Sequence, residues 1–165
     1  MTCQWPTDGL PLPEMMPDLR IQVARVGPVM VPLPRYQTDG SAGMDLHAAL
    51  LEAMTIAPMG RVRVPTGLVF AIPPRFEGQI RPRSGLAARS GVTVLNAPGT
   101  VDSDYRGEVA VLLVNLSDVT VTIAPLERIA QLVIAPVAHA ELVVSAVGLD
   151  ATARGAGGYG STGST

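Results

Sequence analysis

Asn96-Ala97-Pro98-Gly99-Thr100-Val101-Asp102-Ser103-Asp104-Tyr105-Arg106-Gly107-Glu108 runs directly into Val109-Ala110-Val111-Leu112-Leu113-Val114-Asn115-Leu116. The first part reads as a hairpin. Ala97-Pro98-Gly99 supplies turn residues, and Asn and Asp favour local side-chain to backbone hydrogen bonds. In the second part, Glu108–Leu116, apolar residues follow one another instead of alternating. That is the pattern of a strand covered on both faces, so it predicts a strand in the middle of a sandwich or between subunits.

Working outward, similar short runs flank this pair. Arg61-Val62-Arg63-Val64 alternates strictly, as a half-buried strand should. Ile21–Val26, Val69–Ile72, Gln79–Arg81, Val92–Leu95, Val119–Ile123, Leu132–Ile134 and Leu142–Val147 are the other candidates. Thr38-Asp39-Gly40, Pro58-Met59-Gly60 and Ala97-Pro98-Gly99 punctuate them. Many short strands with frequent Gly/Pro turns predict an all-β sandwich or barrel. One short helix is expected at Ser84–Arg89, with Ser84 as its N-cap.

Composition narrows the chemistry. The 165 residues suit one domain with a sizeable core, and 47% are apolar but only 4% aromatic. All 12 basic side chains are arginines, which removes any mechanism built on a P-loop, Schiff-base or kinase lysine. One cysteine, Cys3, allows no intrachain disulfide, and two histidines are too few for a multi-histidine metal site. A net charge of −2 gives no general attraction to nucleic acid or anionic membranes. No apolar run reaches the roughly 18 residues of a membrane span, and the N-terminus lacks the pattern of a signal peptide. A cytoplasmic protein binding neither nucleic acid nor membrane is expected.

Three segments carry candidate chemistry. Arg154-Gly155-Ala156-Gly157-Gly158-Tyr159-Gly160-Ser161-Thr162-Gly163 combines glycines, whose N–H groups can approach phosphate, with hydroxyls, a guanidinium and a ring. By itself it reads equally as a flexible Gly/Ser tail. Arg81-Pro82-Arg83-Ser84-Gly85-Leu86-Ala87 offers two arginines before a turn with free backbone donors; the plainer reading is an exposed charged loop. The hairpin brings Asn96, Asp102 and Tyr105 together. A polar turn explains Ser103 and Asp104 well and that trio less well.

With Ala42-Gly43-Met44-Asp45-Leu46-His47-Ala48 and Glu127-Arg128-Ile129-Ala130-Gln131, these segments make five, in an order and at spacings that resemble the five motifs of the trimeric dUTP pyrophosphatases (dUTPases). The resemblance covers about Ile21 to Gly163. It departs at Leu126, where glycine is usual, at Arg89, where lysine is common, and at Tyr159, where phenylalanine is usual. It implies a distorted jelly-roll (β-clip) subunit with one short helix, assembled as a homotrimer with shared sites. The arrangement would be an N-terminal arm (residues 1–20), a β domain (residues 21–150) and a Gly-rich C-terminal lid (residues 151–165).

The implied reaction is Mg²⁺-assisted hydrolysis of dUTP to dUMP and pyrophosphate by in-line attack of water on the α-phosphorus. That activity would keep uracil out of DNA and supply dUMP for thymidylate synthesis. In this reading Asp102 is the general base. Asn96 and the hairpin backbone, including Val101, read uracil, and Tyr105 packs on the deoxyribose. Ser84, Gln131, Arg154, Ser161 and Thr162 contact phosphates, with Arg83, Gly85 and Gly160 as further substrate-binding candidates. Tyr159 covers the uracil ring. Asp45 acts through waters of the Mg²⁺, while Arg128 is structural and His47 an ordinary sheet residue. A dCTP deaminase or a regulatory nucleotide-binding trimer is the rival reading; Ser84-Gly85-Leu86 and the complete fifth motif favour the pyrophosphatase.

Overall fold

The computed structural model describes residues 19–158. The strands are β1 (Gln22–Arg25), β2 (Met44–His47), β3 (Met54–Ile56), β4 (Arg61–Pro65), β5 (Leu68–Ala71), β6 (Phe76–Arg81), β7 (Val92–Val94), β8 (Gly99–Val101), β9 (Ala110–Asn115), β10 (Val121–Ile123) and β11 (Arg128–Pro136), with one helix, α1 (Ser84–Ser90), between β6 and β7. They form four small antiparallel sheets: β1-β5, β3-β10, β4-β9-β7 and β2-β11-β6-β8. This is a distorted jelly roll. The sheets close over an aliphatic core in which Leu46, Ile56, Leu68, Ile72, Leu113, Ile123, Ile129 and Leu132 are essentially inaccessible to water.

β9 lies between β4 and β7, as its apolar run predicts. Val111, Leu113 and Asn115 point to the core, while Leu112 on the opposite face is 38% exposed. Asn115 is fully buried, and its amide is completely satisfied. Its Nδ2 donates to the carbonyls of Ile56 (2.9 Å) and Val119 (2.7 Å), and its Oδ1 accepts from the backbone N–H (2.9 Å) and hydroxyl (2.7 Å) of Ser117. A buried amide with all four sites filled stabilises one arrangement only, here the junction of β3 with the β9–β10 turn.

β2, β3 and β8 have no counterpart among the sequence-derived strands; each is three or four residues long, too short for a periodic signal. β11 is far longer than the expected Leu132–Ile134. Leu142–Val147 is not a strand. Its apolar residues pack on nothing within the chain: Leu142, Val143, Val144, Val147 and Leu149 are all at least 81% exposed. Ser84 is the first helical residue, and Arg83 occupies the cap position without a side-chain cap bond. α1 ends at Gly91, whose left-handed backbone lets its N–H bond the Ala87 carbonyl at 3.0 Å.

Leu126, between β10 and β11, has a physical conflict. Its φ is +60°, a region that costs a non-glycine residue about 1–2 kcal/mol, and its N–H is held on the Ala48 carbonyl at 2.9 Å, so the backbone cannot relax. The side chain is 43% exposed and recovers little by burial. Leu126→Gly should therefore raise stability by about 0.5–1 kcal/mol after allowing for glycine's extra unfolded-state entropy. In urea titrations at one protein concentration, the midpoint should rise with an unchanged slope.

Candidate active site

Two clusters stand out, each anchored on the sheet β2-β11-β6-β8. The first follows from register. β11 pairs with β2 and β6 so that Asp45, Gln131 and Arg81 face one another in a single row across three strands. Opposed residues share a face, so these three polar side chains leave the core together while Leu132 and Ile80 enter it. Arg83, just past β6, donates from Nε to Asp45 Oδ1 at 2.8 Å and from Nη1 to the Arg128 carbonyl at 3.0 Å. Arg128 Nη1 donates to Asp45 Oδ2 at 3.0 Å. Gln131 Nε2 donates to the Pro82 carbonyl at 2.9 Å. Hydrogen bonds thus join the first, second and fourth motif-like segments into one unit. Gly43 makes room for it, since a Cβ there would overlap the Gln131 side chain.

The second cluster is a cleft of about 170 Å³ formed by β8, the following turn, the start of β9 and Ile80 of β6. Asn96, Val101, Asp102 and Tyr105 all line it, as do Gly99 and Glu108. Asp102 is exposed at this cleft, and its carbonyl accepts the Tyr105 N–H at 3.2 Å. Tyr105 donates its hydroxyl to the Glu108 carbonyl at 3.1 Å. Its ring lies over Gly107, where a Cβ would come 2.6 Å from Cζ. Arg106 Nη1 closes the tip of the turn on the carbonyls of Ser103 (2.7 Å) and Tyr105 (2.8 Å). An open groove lined by Arg81, Pro82, Ala97, Pro98 and Gln131 runs between the polar row and the base of the hairpin.

The remaining expected site residues are less assembled. Ser84 is exposed at the start of α1, and Gly85 lies under the Arg89 guanidinium. Arg154 is exposed and bonds only within its own segment, from Nε to the Gly157 carbonyl at 2.9 Å. The described chain therefore does not bring Arg154 to either cluster. Tyr159, Gly160, Ser161 and Thr162 lie outside the described residues. Sequence reasoning missed Gly43, Gly107 and Glu108; only the two glycines beside Asp45 and Tyr105 gave a hint of close approach.

A magnesium ion can be tested against the donor set. Among the described residues no three His, Cys, Asp or Glu side chains converge, so no side-chain cage exists for a resident ion. Asp45 is 14% exposed, and each of its oxygens accepts one arginine bond, leaving lone pairs free. That fits a hydrated ion arriving on a substrate's phosphates, which Mg²⁺ prefers.

His47 ends β2 opposite Arg128. Its buried Nδ1 finds no partner among the described residues. Burial pushes its pKa below the ordinary 6.5; Asp45 opposes this, and the Arg128 and Arg83 guanidiniums reinforce it. The unfolded chain therefore takes up the proton at a higher pH than the folded chain does, so folding stability falls as pH drops below 6.5 toward the folded value. His47→Gln should make that fall shallower in denaturation series run across this range.

The family model described as dUTPase matches residues 30–163. The chain is 63% identical over 135 residues to the deoxyuridine 5'-triphosphate nucleotidohydrolase of Methylocella silvestris, covering 81% of this chain and 84% of that protein. It is 58% identical over 145 residues to the protein of the same name from Anaeromyxobacter sp., covering 87% and 97%. In fold it is similar to a mutant dUTPase of Staphylococcus bacteriophage 80alpha solved with dUpNHpp (TM-score 0.78, 23% identity, 87% of this chain and 98% of that one). It is also similar to a mutant dUTPase from phage phi11 of S. aureus described with a structural Mg(II) ion (TM-score 0.69, 21% identity, 77% and 97%). The extent of the family match and the identities to its curated relatives show that this chain belongs to the dUTPase family.

Proposed function

We propose that the chain hydrolyses dUTP to dUMP and pyrophosphate, and that Asp102 is its catalytic base. The observation that carries the assignment is the exposed Asp102 carboxylate on the same cleft as Asn96, Val101 and Tyr105. Family membership supplies the reaction class; the cleft supplies the candidate groups. Asp102 accepts a proton from a water, whose oxygen forms a bond to the α-phosphorus. The bond from that phosphorus to the α–β bridging oxygen breaks, and pyrophosphate leaves. Such a step needs alignment and charge neutralisation more than covalent help.

The hairpin carries recognition. Asn96 and the backbone around Val101 read the uracil edge, and Tyr105 stands against the deoxyribose. Unsatisfied polar groups left by the wrong base can discriminate by roughly 10⁴ or more. Ser84, Gly85 and Gln131 face the phosphates, with Arg83 neutralising them as well as bonding Asp45. Mg²⁺ bound to the triphosphate would supply charge neutralisation, and Asp45 would accept hydrogen bonds from its waters.

In this reading the active assembly is a homotrimer with shared sites. Five large apolar side chains between Leu142 and Leu149 lack cover within the chain. β1 pairs only with β5, which leaves one edge open beside an apolar groove containing Ile21, Val23, Phe70, Leu132 and Ile134. A segment rich in exposed valine next to an open strand edge suits exchange between copies. Residues 1–20 would be an arm, residues 21–150 the body, and residues 151–165 a lid delivering Arg154, Tyr159, Gly160, Ser161 and Thr162 to a site on other subunits. Among the described residues no helix is long and apolar enough to cross a membrane. We place the activity in the cytoplasm, where it would keep uracil out of DNA and supply dUMP for thymidylate synthesis.

The test is direct. Purified protein with Mg²⁺ and each deoxynucleoside triphosphate in turn should release pyrophosphate from dUTP alone, with no ammonia from dCTP. Asp102→Asn should retain a non-hydrolysable dUTP analogue while kcat falls by roughly 10²–10⁴; unchanged kcat rejects the base assignment. Sedimentation should give a mass near three times 17.2 kDa. Truncation after Asp150 should keep that mass and lower turnover by roughly 10², the scale of a lost positioning element.

A further inference from the structure

We infer that Glu108 is a positioning residue for the sugar side of the site. By clipping the base of the hairpin to the Thr66-Gly67 turn, it fixes the Tyr105 ring and so sets how strongly a ribonucleotide is refused. The inference rests on the reading of Tyr105 as the sugar wall.

The clip is a set of contacts between segments about forty residues apart. Glu108 Oε1 accepts the Gly67 N–H at 2.8 Å. The neighbouring Val109 carbonyl accepts both the Thr66 hydroxyl, at 2.6 Å, and the Thr66 N–H, at 3.2 Å. The Val109 N–H donates to the Leu68 carbonyl at 2.9 Å. Thr66 is fully buried, so its hydroxyl has no water to turn to. Gly67 has φ +66°, and a Cβ there would sit 3.2 Å from the Ala49 Cβ. The N–H that Glu108 bonds is therefore presented by a turn with little freedom to move.

On its other side Glu108 holds the ring. Its backbone carbonyl accepts the Tyr105 hydroxyl, while Gly107 leaves the space on which that ring lies. One residue thus links a fixed turn, through its side chain, to the tip of an exposed aromatic ring, through its backbone. Nothing else in the structure claims the carboxylate. Arg106 turns its guanidinium to the carbonyls of Ser103 and Tyr105, and Glu108 forms no ion pair among the described residues. The group acts as an acceptor for one backbone N–H, a task a glutamine oxygen can also perform.

The measurement is the ratio of kcat/KM for dUTP to that for UTP, in the full-length protein with Mg²⁺. Glu108→Ala should lower this ratio about three- to tenfold, the effect of one lost tethering hydrogen bond. Glu108→Gln should restore it to within about twofold of the parent, since the acceptor is kept. A merely structural Glu108 would reduce both substrates together and leave the ratio in place, and that result overturns the inference. Tyr105→Phe removes only the hydroxyl tether and should lower the ratio in the same direction. If Glu108→Ala does not fold, this variant decides the matter, and an unchanged ratio overturns the inference. Tyr105→Ala separates the two levels of the argument. If it leaves the ratio unchanged, the sugar-wall reading itself is wrong; if it lowers the ratio while Glu108→Ala does not, only the role of Glu108 is rejected.

Discussion

The double pairing of β11 is the constraint on which the site depends. One strand is hydrogen-bonded to β2 on one side and β6 on the other, in registers that leave no choice about which residues face each other. A slip of one residue would move Leu132 out of the core and Gln131 into it, a change opposed by the apolar face and by the polar row alike. The register therefore fixes more than packing. It aligns Asp45, Gln131 and Arg81, and it sets Arg83 and Arg128 on opposite oxygens of one carboxylate. The chain segments that supply these groups are separated by more than eighty residues at the extremes, so only a sheet brings them together.

Much of this was legible in the sequence, though unevenly. The continuous apolar run after the hairpin correctly placed β9 between two other strands, and the alternation of Arg61–Val64 located β4. Such signals need four or more residues of consistent period. β2, β3 and β8 carry too few, so Met44–His47 was recognisable only through its likeness to a motif and not through strand periodicity. Leu142–Val147 failed for the opposite reason. It has the composition of a strand, but a strand needs a partner, and the chain alone offers it none.

The candidate site divides in the same way. Asn96, Val101, Asp102 and Tyr105 are close in sequence, and a hairpin must bring them close in space; their common cleft follows from local chemistry. The role of Glu108 could not be read so. Its partner Gly67 is distant in the chain, and nothing in a glutamate predicts that it will accept a backbone N–H from a left-handed turn. Leu126 shows the converse. Its place in a position where glycine is usual was visible as a departure, and the positive φ supplies the physical reason for the usual residue.

The two halves of the chain differ in how their order is secured. The hairpin and the polar row are held by backbone registers, buried polar groups and short arginine bonds, so their geometry exists without any ligand. Beyond Val137, whose N–H bonds the Arg75 carbonyl at 2.8 Å, cross-chain hydrogen bonds cease among the described residues and the apolar side chains face water. Burying one such side chain contributes about 1.5–3 kcal/mol, so five of them represent a large unused driving force for association. A chain that keeps its recognition groups rigid and leaves an apolar strap uncovered is organised for a site completed by another copy. The rigid half defines what is bound, and the half that gains its contacts on assembly decides when the site is closed.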